Sequence, residues 1–204
     1  MSTIDLQSLY KHACDTPSDI NQHLPVLKQH ASRCAHVTEM GARTGNSTIA
    51  FMAANVEAFV SYDYQYNTPE AHLAAGVERL KRLIDDVAST GADVKYIGAN
   101  VLDIEIQPTD MLFIDTWHVY EQLKQELQLH AHKVRKYIAF HDTHAYGVKG
   151  EGYLHADAKH PTRDKLNPQG GIRPAIDEFL QQHTCWSITY ETHVNNGLII
   201  ITKQ

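Results

Sequence analysis

The sequence predicts an α/β protein, with seven short strands in a mainly parallel, Rossmann-like sheet, helices on both faces and one antiparallel hairpin at the C-terminal end. Three observations lead there. Short apolar runs alternate with longer amphipathic stretches, the pattern of a parallel sheet covered by helices. The last two apolar runs, Cys185–Glu191 and Gly197–Thr202, are joined only by Thr192–Asn196. That link has no room for a crossover helix, so those strands must run antiparallel. The chain has 204 residues, 43% hydrophobic and 21% charged, enough for one domain with a full core.

The strands fall at His36–Met40, Ala58–Tyr62, Val94–Gly98, Met111–Asp115, Tyr137–His141 and the two closing runs. Helices are expected over Ser47–Ala54, Pro69–Ser89, Val119–Ala131 and Arg173–Gln182. In Pro69–Ser89 the residues Leu73, Val77, Leu80, Leu83, Ile84 and Val87 recur at helical spacing between charged neighbours. An N-terminal helical segment over residues 1–35 holds Leu6–Cys14 and Asp19–Ala31, the second opened by an Asp19-x-x-Gln22 capping box. Ala145–Gly171 is rich in Gly, Pro and His and lacks periodicity, as expected of a lid or insertion loop in a single domain spanning 1–204.

A formal net charge of −6 without a long basic run does not point to nucleic acid or anionic membrane. No apolar stretch is long enough to span a bilayer, and the first residues lack a signal-peptide core, so the expected location is cytoplasmic. Cys14, Cys34 and Cys185 form no C-x-x-C pair, which fits buried thiols in a reducing compartment. The 14 histidines raise the expectation of a metal or proton-transfer site without locating it. A homo-oligomer is compatible with the sequence.

Five motifs carry chemistry. In Val37-Thr-Glu-Met-Gly-Ala-Arg-Thr-Gly-Asn-Ser47 a strand ends at Glu39-Met40 and a turn through Gly41, Arg43 and Gly45 leads into a helix. Glycines let a ligand approach the backbone, and a helix start offers N–H groups to an anion. Ser47 can donate to that anion and Glu39 can accept from an ammonium, so an amino-acid moiety suits the turn. Its spacing is G-x-x-x-G and not the G-x-G-x-x-G of dinucleotide folds. The ordinary reading is a plain strand–helix turn. Asp63, at the tip of the next strand, stands where nucleotide binders accept both ribose hydroxyls, or else serves as a turn residue. Asn100, in the small-residue turn after the third strand, suits an adenine edge or a tight surface turn.

The remaining two motifs are Met111-Leu-Phe-Ile-Asp-Thr-Trp-His118 and Ile138-Ala-Phe-His-Asp-Thr-His144. Each apolar strand delivers an aspartate, Asp115 or Asp142, to its carboxyl end. Adjacent strands lie about 5 Å apart, so both carboxylates should reach one cation, and oxygen ligands suit Mg²⁺ or Ca²⁺. The alternative for either aspartate is a helix N-cap. His118 has the titration range of a general base, against the alternative of a solvated histidine at a helix start.

Taken in order, these motifs resemble the class I S-adenosylmethionine-dependent methyltransferases. Within them, the chain is most similar to the metal-dependent O-methyltransferases of catechol O-methyltransferase type, and to the sugar O-methyltransferase and cephalosporin-hydroxylase-like group. The likeness runs from about Thr16 to the end. It implies S-adenosylmethionine as cofactor, a divalent metal (Mg²⁺ foremost) on Asp115 and Asp142, Trp117 packed on adenine and His118 as base where the catechol type has lysine. The family's metal-binding Asp-Asn pair is Asp142-Thr143 here, which leaves the third ligand among Thr143, His141 and His144. The resemblance implies methyl transfer to a hydroxyl of a sugar, phenol or natural product. The Ala145–Gly171 loop then reads either as a lid whose Tyr146, Tyr153, His155 and Arg163 meet the acceptor or as a plain surface insertion. A cofactor-binding protein of the same fold with no transfer or another reaction stays open, and a NAD-type oxidoreductase is disfavoured.

Overall fold

The computed structural model describes residues 4–64, 71–151 and 170–204. Its strands are β1 (His36–Met40), β2 (Ala58–Asp63), β3 (Asp93–Gly98), β4 (Thr109–Ile114), β5 (Val134–His141), β6 (Trp186–Thr192) and β7 (Leu198–Lys203). They form one seven-stranded sheet in the order β3-β2-β1-β4-β5-β7-β6. Neighbours from β3 to β5 are parallel, while β7 runs antiparallel to both β5 and β6. The closing hairpin is therefore present, and its return strand β7 is inserted between β5 and β6.

Helices α1 (Leu6–Asp15), α2 (Leu24–Ala31), α3 (Asn46–Met52) and α4 (Ala71–Ala88) cover one face, and α5 (Tyr120–His130) and α6 (Arg173–Gln182) the other. Every residue of β4 is buried, and its side chains alternate between two cores. Met111 and Phe113 pack with Leu27, Phe51, Phe59 and Ile84; Leu112 and Ile114 pack with Leu123, Ile138, Phe140 and Ile176. Burying each such side chain contributes about 1.5–3 kcal/mol, and together they anchor the central strands whose carboxyl ends carry the site.

Two expectations are corrected. The Asp19–Ala31 helix with its capping box does not form as one unit; a 3₁₀ turn over Asn21–His23 leads into α2. Pro25 in the first turn of α2 has no N–H to continue a helix from upstream, which restarts at Leu24. The Asp19 carboxylate instead meets Arg43 at 2.9 Å. Among the cysteines Cys34 is buried, but Cys185 is exposed just before β6. Pro69, Tyr153, His155 and Arg163 lie outside the described residues. No described helix is long and apolar enough to cross a membrane.

At the opposite end of the sheet from the site, Asp110 accepts from the Ala35 amide and from Arg135 Nε, each at 2.7 Å. Burial alone would raise its pKa. The Arg135 and Ala35 hydrogen bonds, with the Arg135 and Lys136 charges, outweigh burial and hold it at about 2. A folded-state pKa below the unfolded one stabilises above the unfolded value and loses that contribution as pH falls through the folded value. Asp110→Asn should therefore cost about 2 kcal/mol at neutral pH. In urea unfolding, the gap to the wild type should close as pH falls from about 4 to about 2.

Candidate active site

The carboxyl ends of β1, β2, β4 and β5 gather the motif residues along one edge of the sheet. After β1 the chain turns tightly, with φ of +88° at Gly41, +48° at Arg43 and +94° at Gly45. Gly41 is required at its place. A Cβ there would land on the carbonyl oxygen of Asp115, so no larger residue lets the turn sit against the β4 end. The Asp115 amide donates to the Met40 carbonyl at 2.8 Å, and the Gly41 amide to the Tyr62 carbonyl at 2.8 Å. Asp63 holds the same turn: its Oδ2 accepts from the amides of Ala42 (2.8 Å) and Arg43 (2.7 Å).

Glu39 faces inward. Wholly buried, it accepts from the hydroxyls of Ser47 (2.5 Å), Thr48 (2.6 Å) and Ser61 (2.6 Å). Burial pushes its pKa up to about 7 against the pull of those three donors. Glu39 and Ser47 thus bind one another in this structure, and the hydroxyl layer locks α3 to β1 and β2. Asn100 is spent on its own turn, donating to Asp103 at 2.8 Å and accepting from the Leu102 amide.

The second group lies past β4 and β5. Continuing the register beyond Ile114↔Phe140 brings Asp115 beside His141. His141 Nδ1 stands 3.2 Å from Asp115 Oδ1 and 3.5 Å from Asp142 Oδ1. His118 Nε2 lies 3.1 Å from Asp115 Oδ1 and 3.4 Å from Asp142 Oδ2. Asp115, His118 and Asp142 each offer a ligand atom within 4.8 Å of the others, the spacing of a cation site. Asp142 Oδ1 is buried and has no hydrogen-bond partner. An orphaned carboxylate oxygen in this position is what a cation would satisfy. Asp142 itself is left-handed, with φ of +58°. The hairpin holds it there: the Asn196 carbonyl accepts from the amides of His144 (2.8 Å) and Ala145 (2.9 Å). Thr143 is buried with its hydroxyl against Gly197, and His144 is exposed and stacked on His193.

Carboxylates and imidazoles shift one another's protonation in this cluster. Burial would lower the pKa of His118, but hydrogen bonds to Asp115 and Glu151 and the two aspartate charges push it up to about 10. Burial likewise opposes, and Asp115 and Asp142 reverse, the shift of His141 to about 9. Asp115, despite burial, is held far below the usual carboxylate range by the two imidazoles, whereas burial raises Asp142.

Several participants escape a motif reading. Glu151 Oε2 accepts from His118 Nδ1 at 3.0 Å, and its amide donates to the His118 carbonyl at 2.9 Å. Tyr146 stacks on the His118 ring at 5.3 Å. Asp19 links both halves of the site, its carboxylate on Arg43 and its carbonyl accepting from His141 Nε2 at 3.1 Å. Glu126 of α5, wholly buried, accepts from Thr116 (2.6 Å) and Gln122 (2.7 Å), and so tethers the turn bearing Asp115, Trp117 and His118. Half-buried Trp117 lines a small cavity beside His118. Only a position eleven residues past Asp115 and a loop glutamate signal these acids in the sequence, and neither makes a motif.

No family model and no curated protein matches the sequence. Solved structures do. The O-methyltransferase TomG of Streptomyces achromogenes, involved in tomaymycin synthesis and solved with S-adenosylmethionine, aligns with a TM-score of 0.60 at 15% identity, covering 100% of this chain and 91% of that one. The methyltransferase PaMTH1 of Podospora anserina, bound to S-adenosylhomocysteine, gives 0.58 at 16%, with 100% and 90% covered. An O-methyltransferase from Bacillus cereus, also with S-adenosylhomocysteine, gives 0.55 at 16%, with 98% and 89% covered. This chain has the methyltransferase fold. In that fold the Gly41–Gly45 turn follows the first strand, the Asp115–His118 segment follows β4 beside it, and His141–Asp142 ends β5, the next strand over.

Proposed function

We propose that the protein is an S-adenosylmethionine-dependent O-methyltransferase acting on a hydroxyl of a small molecule, assisted by a divalent cation. One observation carries this reading. The strand ends beside the Gly41–Gly45 turn bring a histidine, His118, within 3.4 Å of two aspartates in the methyltransferase fold.

The cofactor would lie along the edge from β1 to β4. Asp63, with Oδ2 taken by the turn, has Oδ1 for the ribose hydroxyls, and Trp117 offers an aromatic face for adenine. The Gly41–Gly45 backbone, with Arg43 and Ser47 flanking it, would receive the amino-acid end. Glu39 would act there through the hydroxyls it holds, and Asn100 would shape the adenine wall through its turn. Asp115 and Asp142 would hold the cation, with the third protein ligand among Thr143, His141 and His144. A cation there supplies the positive charge that lowers the pKa of a bound hydroxyl.

The chain's own residues do the rest. With a cation on the aspartates in place of the proton that His118 Nε2 gives them, that nitrogen would be free to take the acceptor's proton, while Glu151 on Nδ1 fixes the ring's orientation. Bound S-adenosylmethionine would supply the methyl group to the acceptor oxygen and leave as S-adenosylhomocysteine. The strand ends that carry Asp115, His118 and Asp142 would position the acceptor against that methyl group. The acceptor class extends to sugars, phenols and natural-product scaffolds. Chelation should abolish transfer to a panel of such hydroxyls, and added Mg²⁺ or another divalent ion should restore it. Full turnover in chelator would remove the cation from the mechanism.

A further inference from the structure

The geometry points to His141 as the third protein ligand of the cation site, and so to a first-row transition ion such as Mn²⁺, Co²⁺ or Zn²⁺, in preference to Mg²⁺. This rests on the reading that a divalent cation sits between Asp115 and Asp142.

His141 is almost wholly buried at the end of β5. Its Nε2 lies 3.1 Å from the Asp19 carbonyl oxygen, which can only accept. Nε2 therefore carries the proton of that bond, which leaves Nδ1 as the ring atom turned toward the two aspartates. Nδ1 stands 3.2 Å from Asp115 Oδ1, within hydrogen-bond distance, and 3.5 Å from the unpartnered Asp142 Oδ1. In the absence of a cation a proton on Nδ1 serves Asp115 Oδ1; a cation among these three atoms would take that proton's place and also satisfy Asp142 Oδ1. An outer N–H given to a backbone carbonyl is the arrangement in which ligating histidines are commonly held, because it fixes both tautomer and ring orientation.

The ring is also wedged in place. His23, fully buried, packs edge-on against it at 5.5 Å and is itself hydrogen-bonded to the Asn195 carbonyl at 2.9 Å. The other candidates are turned elsewhere: the Thr143 hydroxyl lies against Gly197, and His144 is exposed on His193. Mg²⁺ favours oxygen and keeps its waters, whereas an imidazole nitrogen beside two carboxylates favours the transition ions.

Calorimetry on the full chain with MgCl₂, MnCl₂, CoCl₂ and ZnCl₂ tests this without any assay of activity. Co²⁺ and Zn²⁺ should bind more than about tenfold tighter than Mg²⁺. Pulsed EPR of the Mn²⁺-loaded protein should show imidazole nitrogen coupling that persists in His118→Ala and disappears in His141→Ala. The wild-type ranking and spectrum stand even if His141→Ala does not fold. Equal or tighter binding of Mg²⁺, or no nitrogen coupling in the wild type, overturns the proposal. Binding of no divalent cation overturns both it and the cation reading, and S-adenosylhomocysteine titrated in parallel reports separately on the cofactor reading.

Discussion

Replacing His118 by alanine is expected to lower kcat for methyl transfer by about a hundredfold to ten-thousandfold, with S-adenosylhomocysteine affinity nearly unchanged. The loss follows from position. His118 Nε2 lies within 3.4 Å of both aspartates, and no other described imidazole faces them with its second nitrogen held by a carboxylate. Glu151→Gln should reduce kcat less than Glu151→Ala, because the amide oxygen still accepts from Nδ1 and keeps the ring in place. The two substitutions should leave the cofactor site intact, since Glu151 and His118 contact one another away from the Gly41–Gly45 turn. Wild-type turnover of His118→Ala, measured under saturating cofactor, would remove this residue from the chemistry.

The second large effect is structural. Gly41→Ala places a methyl on the Asp115 carbonyl oxygen at a residue whose φ is +88°, so both sterics and backbone conformation oppose it. We expect a loss of about 3 kcal/mol or more, with cofactor and cation binding failing together. Both fail because the clash displaces Asp115, which belongs to one site and closes the wall of the other. Gly45→Ala is the informative contrast. Its φ of +94° is also unfavourable, but its methyl would meet the flexible end of the Leu80 side chain and no backbone. Thermal unfolding should therefore show a markedly smaller fall for Gly45→Ala than for Gly41→Ala. Equal small shifts would show that the turn tolerates a side chain against β4.

Strand spacing explains why the core of the site was legible. An apolar run fixes where a buried strand ends, and a parallel neighbour fixes what lies beside that end. Asp115 and Asp142 were therefore predictably close, and His118 followed three residues on. The hairpin was legible because five linking residues leave no alternative to an antiparallel return. What periodicity does not carry is the spending of hydrogen bonds. Glu39 and Ser47 both read as ligands for a zwitterion, yet they satisfy one another, with Thr48 and Ser61 completing the set. Asn100 read as an adenine contact and closes its own turn.

Long-range partners are silent for the same reason. Asp19 serves the site through a backbone carbonyl, which no side-chain motif records, and its apparent capping role was overruled by Pro25. Asn196 supports Asp142 from the far end of the chain, through a turn whose left-handed residues only the folded hairpin requires. Glu151 reaches His118 across 33 positions of sequence from a segment with no periodicity to read.

The central claim is that the edge between β1 and β4 binds S-adenosylmethionine. Isothermal titration of the purified protein with S-adenosylmethionine, S-adenosylhomocysteine and NAD tests it most directly. The account predicts one site for each sulfur ligand, lost in Asp63→Ala, and no binding of NAD. Binding of NAD with neither sulfur ligand engaged would contradict it.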